Sequence, residues 1–297
     1  MRDFLPGELL RRRYVIDVVR KVYELYGFAP IETPSIENLT TLLGKYGTEG
    51  DQLLYRILHR RDALKRALEK DEVTEGELSD LGLRYDLTVP LARVVAQYGD
   101  LPRFFKRYQI QPVWRADRPG RGRFREFYQC DVDVTGTDSL LAEADVLTAV
   151  AKVLEELGFT DFTIQLNHRR LLSLLIAAAG IDPEQEESAL ISVDKLGKIG
   201  REGVLKELTG RGIDETGADR LLEIIFRQGD ESNQDLADRL KERLGSDDAR
   251  QAIDELLEIL DITAGGPAGS RLRLNPGLAR GLGYYTGPIF EITVEDL

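Results

Sequence analysis

The stretch RYQIQPVWRADRPGRGRFREFYQCDVDVT, which runs from Arg107 to Thr135, decides the fold. Within it, Arg107–Arg115 and Arg123–Thr135 alternate polar and apolar side chains, and a loop rich in glycine, proline and arginine lies between them. Alternation with a period of two is typical of β-strands that bury one face. The sequence therefore predicts an antiparallel hairpin with a long tip.

The two faces of this hairpin differ in chemistry. The even positions are mostly aromatic or aliphatic, whereas the odd positions are mostly polar: Arg107, Gln109, Gln111, Arg115, Arg125, Gln129, Asp131 and Asp133. A solvated sheet face is the simplest interpretation of such a row. The same mixture can also orient a zwitterionic small molecule, because carboxylates bind an ammonium group and guanidinium groups bind a carboxylate.

The tip concentrates positive charge in a chain that is acidic overall, with a net charge of −12. Its arginines are Arg115, Arg118, Arg121, Arg123 and Arg125. Without a global basic field, any polyanion must bind at a local patch such as this one. Arginines that stand among glycines can reach over a bound polyphosphate.

Composition limits the remaining classes of protein. A chain with 42% hydrophobic and 31% charged residues is typical of a soluble globular protein. Cys130 is the single cysteine, so it can form no disulfide within the chain, and with only His59 and His168 a Cys/His zinc site is not expected. The sequence contains no apolar run of the ~18 residues that a membrane span needs. We expect a cytoplasmic protein that binds no structural metal and no membrane.

The pattern of helices and strands changes along the chain. Short strand patterns, among them Phe28–Pro34 and Leu81–Asp86, alternate with amphipathic helices up to residue 168. The pattern from 169 to 266 is almost entirely helical, and strand patterns return in 267–297. This order predicts an α+β protein with an antiparallel sheet, whose body (1–168 and 267–297) is interrupted by a helical insertion (169–266).

Several motifs together carry a family resemblance. RFREFYQCDVD (Arg123–Asp133) resembles motif 2 of the class II aminoacyl-tRNA synthetases in its histidyl form, and RYDLT (Arg84–Thr88) and RGLGYYTG (Arg280–Gly287) resemble the two histidine-binding segments of the histidyl-tRNA synthetases. ISVDKLGKIG (Ile191–Gly200) is similar to part of that family's helical insertion. DFLPGE (Asp3–Glu8), with the helix and strand that follow, resembles the family's start and motif 1.

The resemblance implies an enzyme, an aminoacyl-tRNA ligase with a class II catalytic core. Such enzymes activate L-histidine with ATP and Mg²⁺ to histidyl-adenylate and pyrophosphate, and then esterify tRNA(His). Attack of a carboxylate on the α-phosphorus needs positioning and cancellation of charge, which arginine and Mg²⁺ supply. The resemblance also implies a homodimer formed through the N-terminal helix and strand.

The resemblance implies roles for individual residues. Arg115 and Arg280 are the expected catalytic residues, placed on opposite sides of the α-phosphate, and Asp117 and Arg123 join them in binding ATP. The implied histidine-binding residues are Asp86, Leu87, Thr88, Arg115, Gln129, Asp133, Arg280, Tyr284 and Tyr285. Among these, Asp86, Thr88, Gln129 and Asp133 hold the ammonium group, and the two tyrosines line the imidazole pocket.

Some of these positions have a second interpretation. We predict a helix through Tyr98 with Thr88 as its N-cap, and Asp86 can instead be a structural cap for this helix. Of Tyr284 and Tyr285, which alternate in a strand pattern, only one is expected to face the ligand. The other tip arginines, Arg118, Arg121 and Arg125, either contact tRNA phosphates or keep a surface loop soluble.

Two departures from the family pattern lead to an alternative. Gly283 stands where the family commonly has aspartate, and the sequence stops at Leu297, before motif 3 and the anticodon-binding domain. We expect a truncated synthetase core whose own activity is weak. The alternative is the non-catalytic regulatory subunit of ATP phosphoribosyltransferase, which resembles these enzymes and lacks the anticodon domain, although the retained Arg115, Gln129 and Arg280 argue against it. A generic RNA-binding protein is a third possibility.

Overall fold

The computed structural model describes residues 1–45, 47–70, 73–279 and 285–294, with the backbone alone at 47–49. The chain divides into two compact units, Met1–Thr137 and Asp138–Leu297. Both combine helices with small sheets that contain antiparallel and, in part, parallel pairs. The predicted α+β class is therefore confirmed.

The first unit contains α1 (Pro6–Leu25), β1 (Ala29–Pro30), β2 (Ile36–Asn38), α2 (Leu39–Leu42), α3 (Gly47–Gln52), β3 (Arg56–Leu58), α4 (Asp62–Leu68), α5 (Glu75–Leu78), β4 (Ser79–Leu83), α6 (Thr88–Gln97), β5 (Phe105–Trp114) and β6 (Glu126–Thr135). One sheet has the order β1-β5-β6, and another has the order β2-β4-β3. The predicted hairpin is confirmed, since β5 and β6 are antiparallel from Phe105 opposite Thr135 to Trp114 opposite Glu126.

Helix α1 follows the sequence signals closely. It begins at Pro6, whose fixed φ suits the first turn of a helix, and Gly27 follows its end with a φ of +77°. Its C-terminal half packs on the apolar face of the hairpin, where the Tyr23 hydroxyl donates a hydrogen bond of 3.3 Å to the carbonyl oxygen of Cys130. The hairpin therefore has one face covered by α1 and one polar face.

Two predicted strands are shorter in the structure. The segment predicted over Phe28–Pro34 pairs as a strand only at Ala29–Pro30, because the second of these residues is a proline that has no N–H for the ladder. The segment predicted over Leu81–Asp86 is observed as Ser79–Leu83. There the ladder stops before Arg84, which turns its side chain into the protein.

The second unit contains α7 (Leu141–Glu156), β7 (Phe162–His168), α8 (Arg169–Ala178), a 3-10 turn (Pro183–Gln185), α9 (Glu186–Val193), α10 (Leu196–Gly210), α11 (Glu215–Ile225), α12 (Asn233–Leu244), α13 (Asp247–Thr263), a 3-10 turn (Gly269–Arg271), β8 (Leu272–Leu274) and β9 (Pro288–Val294). Its sheet has the order β8-β7-β9. The helices and the sheet bury one shared hydrophobic core. The boundaries of the helical insertion, 169–266, stay a prediction.

Candidate functional site

The polar face of the hairpin is built by cross-strand pairs. Arg107 lies opposite Asp133, Gln109 opposite Asp131, and Gln111 opposite Gln129. Because side chains of directly opposed residues point to the same side of an antiparallel pair, these six side chains share one face. The sequence predicted this row correctly.

The interpretation of this row as a solvated surface is wrong for its inner part. Arg107 and Gln109 are 0% exposed. The face is covered by side chains from elsewhere in the unit, chiefly Thr33 and Arg84, which are themselves buried. A buried polar face is stable only when its hydrogen bonds are satisfied, so each polar atom here needs a partner.

A network of amides and carbonyls supplies many of these partners, although Arg84 Nη2 and Arg107 Nε have none among the described residues. The Gln111 Oε1 atom accepts hydrogen bonds from the Thr33 N–H (3.1 Å), from Arg84 Nη1 (3.1 Å) and from Gln109 Nε2 (2.6 Å). Arg84 also donates from Nε to the carbonyl oxygen of Pro112 (2.9 Å) and from Nη1 to that of Thr33 (2.6 Å). Arg84 thereby ties the segment around Thr33 to strand β5, and the sequence assigned no role to either residue. The sequence signal that could have indicated the role of Arg84 was a charged side chain at the end of a buried strand.

Asp133 is paired within the protein. Its Oδ2 atom lies 2.6 Å from Nη2 of Arg107. Burial lowers the pKa of Arg107 and raises that of Asp133, and the attraction between the two charges opposes both shifts. Arg107 is held further by Gln109 Oε1, which accepts from Nη1 at 3.3 Å, and by the carbonyl oxygen of Leu87, which lies 3.4 Å from Nη2.

Asp131 is in a different electrostatic state. Burial, followed by the charge of Asp133, raises its pKa to about 7. Asp86 raises this pKa as well, whereas the charges of Arg107 and Arg115 lower it. Among the described residues, the Asp131 carboxylate makes no hydrogen bond or ion pair. It therefore lies on the site face as an acceptor that the protein leaves available.

Asp86 takes part in the start of helix α6. It is 4% exposed, and its Oδ1 accepts a hydrogen bond of 3.0 Å from the Val89 N–H. This confirms the capping interpretation. The N-cap position itself belongs to Leu87, whose side chain is fully buried, and the exposed Thr88 is the first residue of the helix rather than its cap. The carboxylate, not the hydroxyl, is better placed to satisfy the first N–H groups.

Gln129 carries an unsatisfied acceptor. Its Oε1 is buried and has no hydrogen-bond partner among the described residues. A buried acceptor without a donor lowers the stability of a protein by about 1–3 kcal/mol. A ligand group that donates a hydrogen bond to this atom would remove that cost on binding. An ammonium group of a ligand would satisfy this atom.

Arg115 lies at the end of strand β5, where the hairpin opens toward its tip. Its Nε donates to the carbonyl oxygen of Tyr85 at 3.1 Å. Its guanidinium group packs over the rings of Tyr85 (4.3 Å to the centroid) and Phe127 (5.1 Å). These contacts orient the guanidinium group along the polar face.

The tip is held by its own residues. Asp117 Oδ1 lies 3.9 Å from Nη1 of Arg123, and the carbonyl oxygen of Asp117 accepts from Nε of Arg125 at 3.1 Å. Gly120 and Arg123 exchange backbone hydrogen bonds across a turn in which Gly122 has a φ of +73°. The Arg123 side chain is 68% exposed, so it can turn toward a ligand and lose few buried contacts.

The first unit thus brings together the predicted residues of the hairpin and of the RYDLT segment. Tyr285 belongs to the second unit, where it packs against that unit's core. Arg280 and Tyr284 lie outside the described residues, as does Gly283. In the part of the chain that the structure describes, no three His, Cys, Asp or Glu residues form a group that could hold a metal ion, and no helix is long and apolar enough to cross a membrane.

A sequence profile described as histidyl-tRNA synthetase matches residues 1–297. The chain belongs to the histidyl-tRNA synthetase family. The resemblance inferred from the motifs is therefore confirmed.

Curated relatives and solved structures agree with this assignment. The histidine–tRNA ligase of Gloeobacter violaceus is 46% identical over 98% of this chain and 64% of its own length, and that of Cytophaga hutchinsonii is 44% identical over 100% and 66%. The chain thus spans just under two thirds of these relatives. The histidyl-tRNA synthetase of Nostoc sp. PCC 7120 superposes with a TM-score of 0.79 at 31% identity, over 99% of this chain and 63% of that one.

A further neighbour shows the fold alone. A structure from Bacillus halodurans, titled an ATP phosphoribosyltransferase regulatory subunit/histidyl-tRNA synthetase, has a TM-score of 0.80 at 20% identity, over 100% of this chain and 72% of that one. At this identity the likeness does not distinguish a ligase from a regulatory subunit.

Proposed function

We propose that this chain is the histidine-activating part of a histidine–tRNA ligase. It binds L-histidine and ATP with Mg²⁺, and forms histidyl-adenylate and pyrophosphate. The complete ligase then transfers the histidyl group to tRNA(His). In the first step a carboxylate oxygen of histidine bonds to the α-phosphorus of ATP, and the bond from that phosphorus to the pyrophosphate oxygen breaks.

The observation that carries this proposal is the acceptor surplus on the polar face. Asp131 and Asp133 both act on the buried guanidinium group of Arg107, which lies 2.6 Å from Asp133, and Asp131 makes no hydrogen bond or ion pair among the described residues. Gln129 adds a buried oxygen without a donor among the described residues. Such a face favours a ligand with an ammonium group, and Arg115 at its open end favours a ligand carboxylate. A free amino acid has both groups.

The proposed roles follow this arrangement. The ammonium end of the histidine site is formed by Asp86, Leu87, Thr88, Gln129 and Asp133. The carbonyl oxygen of Leu87 binds Arg107 rather than the ligand. Arg115 lies between the histidine carboxylate and the α-phosphate. Asp117 and Arg123 hold ATP at the tip, and Arg280 approaches the α-phosphate from the other side. Of Tyr284 and Tyr285, which belong to the imidazole pocket, one faces the ring.

Magnesium enters this proposal as part of the ATP substrate complex. Its ligands are then phosphate oxygens and water, which suits an ion that keeps several waters in phosphoryl-transfer sites. The protein's contribution is the set of arginines that share the phosphate charge.

We also propose a cytoplasmic homodimer that associates through helix α1 and strand β1. Helix α1 and the residue before it leave several large apolar side chains exposed, between 40% and 74%: Leu5, Leu10, Tyr14, Val15 and Leu25. A row of exposed apolar residues on one helix supports an interaction surface.

Two measurements test the function. Isothermal titration calorimetry with L-histidine tests the amino-acid site, and histidine-dependent exchange of pyrophosphate into ATP tests activation, with the full-length Gloeobacter violaceus ligase as the positive reference. Binding together with exchange supports the ligase. Binding without exchange supports the regulatory-subunit alternative. Absence of histidine binding contradicts both, and leaves RNA binding by the arginine tip as the function to test.

A further inference from the structure

The side chain of Asn167, near the end of strand β7, holds the backbone of a distant segment. By period-two alternation it shares a face with Thr163 and Gln165, which are partly buried, whereas Asn167 is only 1% exposed. Its Nδ2 atom donates hydrogen bonds to the carbonyl oxygens of Pro276 (3.1 Å) and Leu278 (2.9 Å). One buried amide therefore holds two backbone carbonyls that are 109 and 111 residues away in sequence.

The segment 275–279 is fixed at further points. The Asn275 N–H donates to the carbonyl oxygen of Leu166 at 2.8 Å, and Asn275 Oδ1 accepts from the Gly277 N–H at 2.9 Å. Leu278 and Ala279 are buried in the hydrophobic core of the second unit. The backbone up to residue 279 is therefore set by the end of strand β7.

The same strand end holds the chain on the other side of residues 280–284, which lie outside the described residues. The carbonyl oxygen of Gly287 accepts from the Arg169 N–H at 2.9 Å, and Pro288 lies opposite His168 in the ladder between β7 and β9. Three consecutive residues of the chain, 167–169, thus hold both sides of this segment.

Resting on the proposed function, we propose that Asn167 is a positioning residue for histidine activation, which acts through Arg280 by fixing the backbone that leads to it. Arg280 follows Ala279 directly in the sequence. In the proposed function Arg280 shares the charge of the α-phosphate, and a misplacement of about 1 Å can lower a rate about 100-fold. The role of Asn167 is indirect, because its amide donors are occupied by backbone carbonyls.

An amide suits this position better than other side chains of similar size. The NH2 group of asparagine carries two N–H donors, which match the carbonyl oxygens of Pro276 and Leu278. An ionised carboxylate has no donor and would repel both oxygens, and an apolar side chain would leave both without this partner. The chemistry of Asn167 therefore fits the holding of these two carbonyls.

The test is a double-mutant cycle on histidine-dependent exchange of pyrophosphate into ATP, measured at saturating histidine and ATP. The four proteins are the wild-type chain, Asn167→Ala, Arg280→Ala and the double variant. We expect Asn167→Ala to lower the exchange rate about 10- to 100-fold when Arg280 is present, and less than about 2-fold when residue 280 is already alanine. Residues that act as a unit give such non-additive losses, whereas a general loss of stability lowers both rates by the same factor.

The matched control is Asn233→Ala. Asn233 is an asparagine of the same unit that also binds backbone: its Nδ2 donates to the carbonyl oxygen of Leu272, and its Oδ1 accepts from the Leu274 N–H, both at 3.0 Å. This variant removes hydrogen bonds from strand β8 but none from the segment 275–279. It should change the exchange rate by less than about 2-fold. Urea unfolding compares the stability of all variants.

Each other outcome overturns the inference. If Asn167→Ala lowers the rate by less than about 2-fold, or by the same factor with and without Arg280, then Asn167 does not act through Arg280 and the proposed function stands. An equal loss in Asn233→Ala would assign the effect to stability. An unchanged rate in Arg280→Ala would remove the role of Arg280 and the inference with it.

A wild-type chain without exchange contradicts the proposed function itself, on which the inference rests. Near-UV circular dichroism checks folding, and Asn167→Ser, which keeps one hydroxyl donor, replaces Asn167→Ala if the latter does not fold. Failure of both variants to fold would assign Asn167 to stability alone.

Discussion

Replacing Arg84 by methionine tests whether the buried network supports the site. Arg84 is fully buried and donates to carbonyl oxygens of Thr33, Pro112 and Pro34, at 2.6, 2.9 and 3.3 Å. Methionine fills a similar volume but offers no donor. Gln111 would keep two of its hydrogen bonds, from the Thr33 N–H and from Gln109, so the loss falls mainly on the backbone carbonyls.

The expected magnitude follows from these three acceptors. Each buried acceptor left without a partner costs about 1–3 kcal/mol. Removing the guanidinium group also removes its own desolvation penalty, which offsets part of the loss. We therefore expect the free energy of unfolding to fall by about 3 kcal/mol, in the range found when one partner of a buried polar pair is removed. A double mutant that removes the acceptors together with Arg84 is not possible, because the acceptors are backbone carbonyls.

The assay uses the single tryptophan of the chain. Trp114 lies beside Arg84, with the guanidinium carbon 5.7 Å from the ring centroid, so urea unfolding followed by tryptophan fluorescence reports on this region. Arg118→Met, at an exposed position of the tip, is the control and should change the free energy of unfolding by less than about 0.5 kcal/mol. A loss below about 1 kcal/mol in Arg84→Met would refute the reasoning, because it would mean that the three carbonyls find other partners or do not need them.

Three further predictions concern catalysis, pH and assembly. Arg115→Ala should lower the rate of histidine-dependent pyrophosphate exchange about 100- to 1000-fold, as for loss of one charge-stabilising donor. The control Arg121→Ala should change this rate by less than about 2-fold. Equal effects of the two variants would contradict the role assigned to Arg115. Because the pKa of Asp131 is raised from 3.8 to about 7, the folded state binds the extra proton between these values, and the free energy of unfolding should fall as pH rises through this window. The slope is at most about 1.4 kcal/mol per pH unit, and urea unfolding of Asp131→Asn should show a flatter profile. Leu10→Glu, at a side chain that is 64% exposed on α1, should convert a dimer to a monomer in light scattering without loss of helical circular dichroism, and an unchanged mass would place the interface elsewhere.

Local pattern was sufficient to predict the hairpin and its polar row. The predicted strands, Arg107–Arg115 and Arg123–Thr135, are observed as Phe105–Trp114 and Glu126–Thr135 with the expected facing. Period-two alternation determines which residues share a face, because a register shift of one residue would move every side chain to the other side. This information is contained within the hairpin itself.

Alternation does not reveal what covers a face. The inner part of the row is buried because Thr33 and Arg84 reach it from segments distant in sequence, and these contacts depend on tertiary packing. For the same reason the sequence analysis assigned Asp133 to the ligand and did not predict its ion pair with Arg107, although it placed both residues on the same face. The family motifs predict which residues form the site, whereas the structure shows which of these residues already have partners within the protein.

In the proposed function, the division of charge along the hairpin lets an acidic chain present a site for both an amino acid and a nucleotide. At the inner end, Asp131 and Asp133 offset the charge of the Arg107 guanidinium group, so this group has little charge left to attract phosphate. The outer end holds the tip arginines and attracts it. In the proposed function, the ammonium group of histidine is therefore drawn inward and the triphosphate is held outward. The carboxylate and the α-phosphate then meet where the two fields join, at Arg115. On this proposal, polarity along one sheet face, rather than the number of arginines, sets the orientation in which the two substrates react.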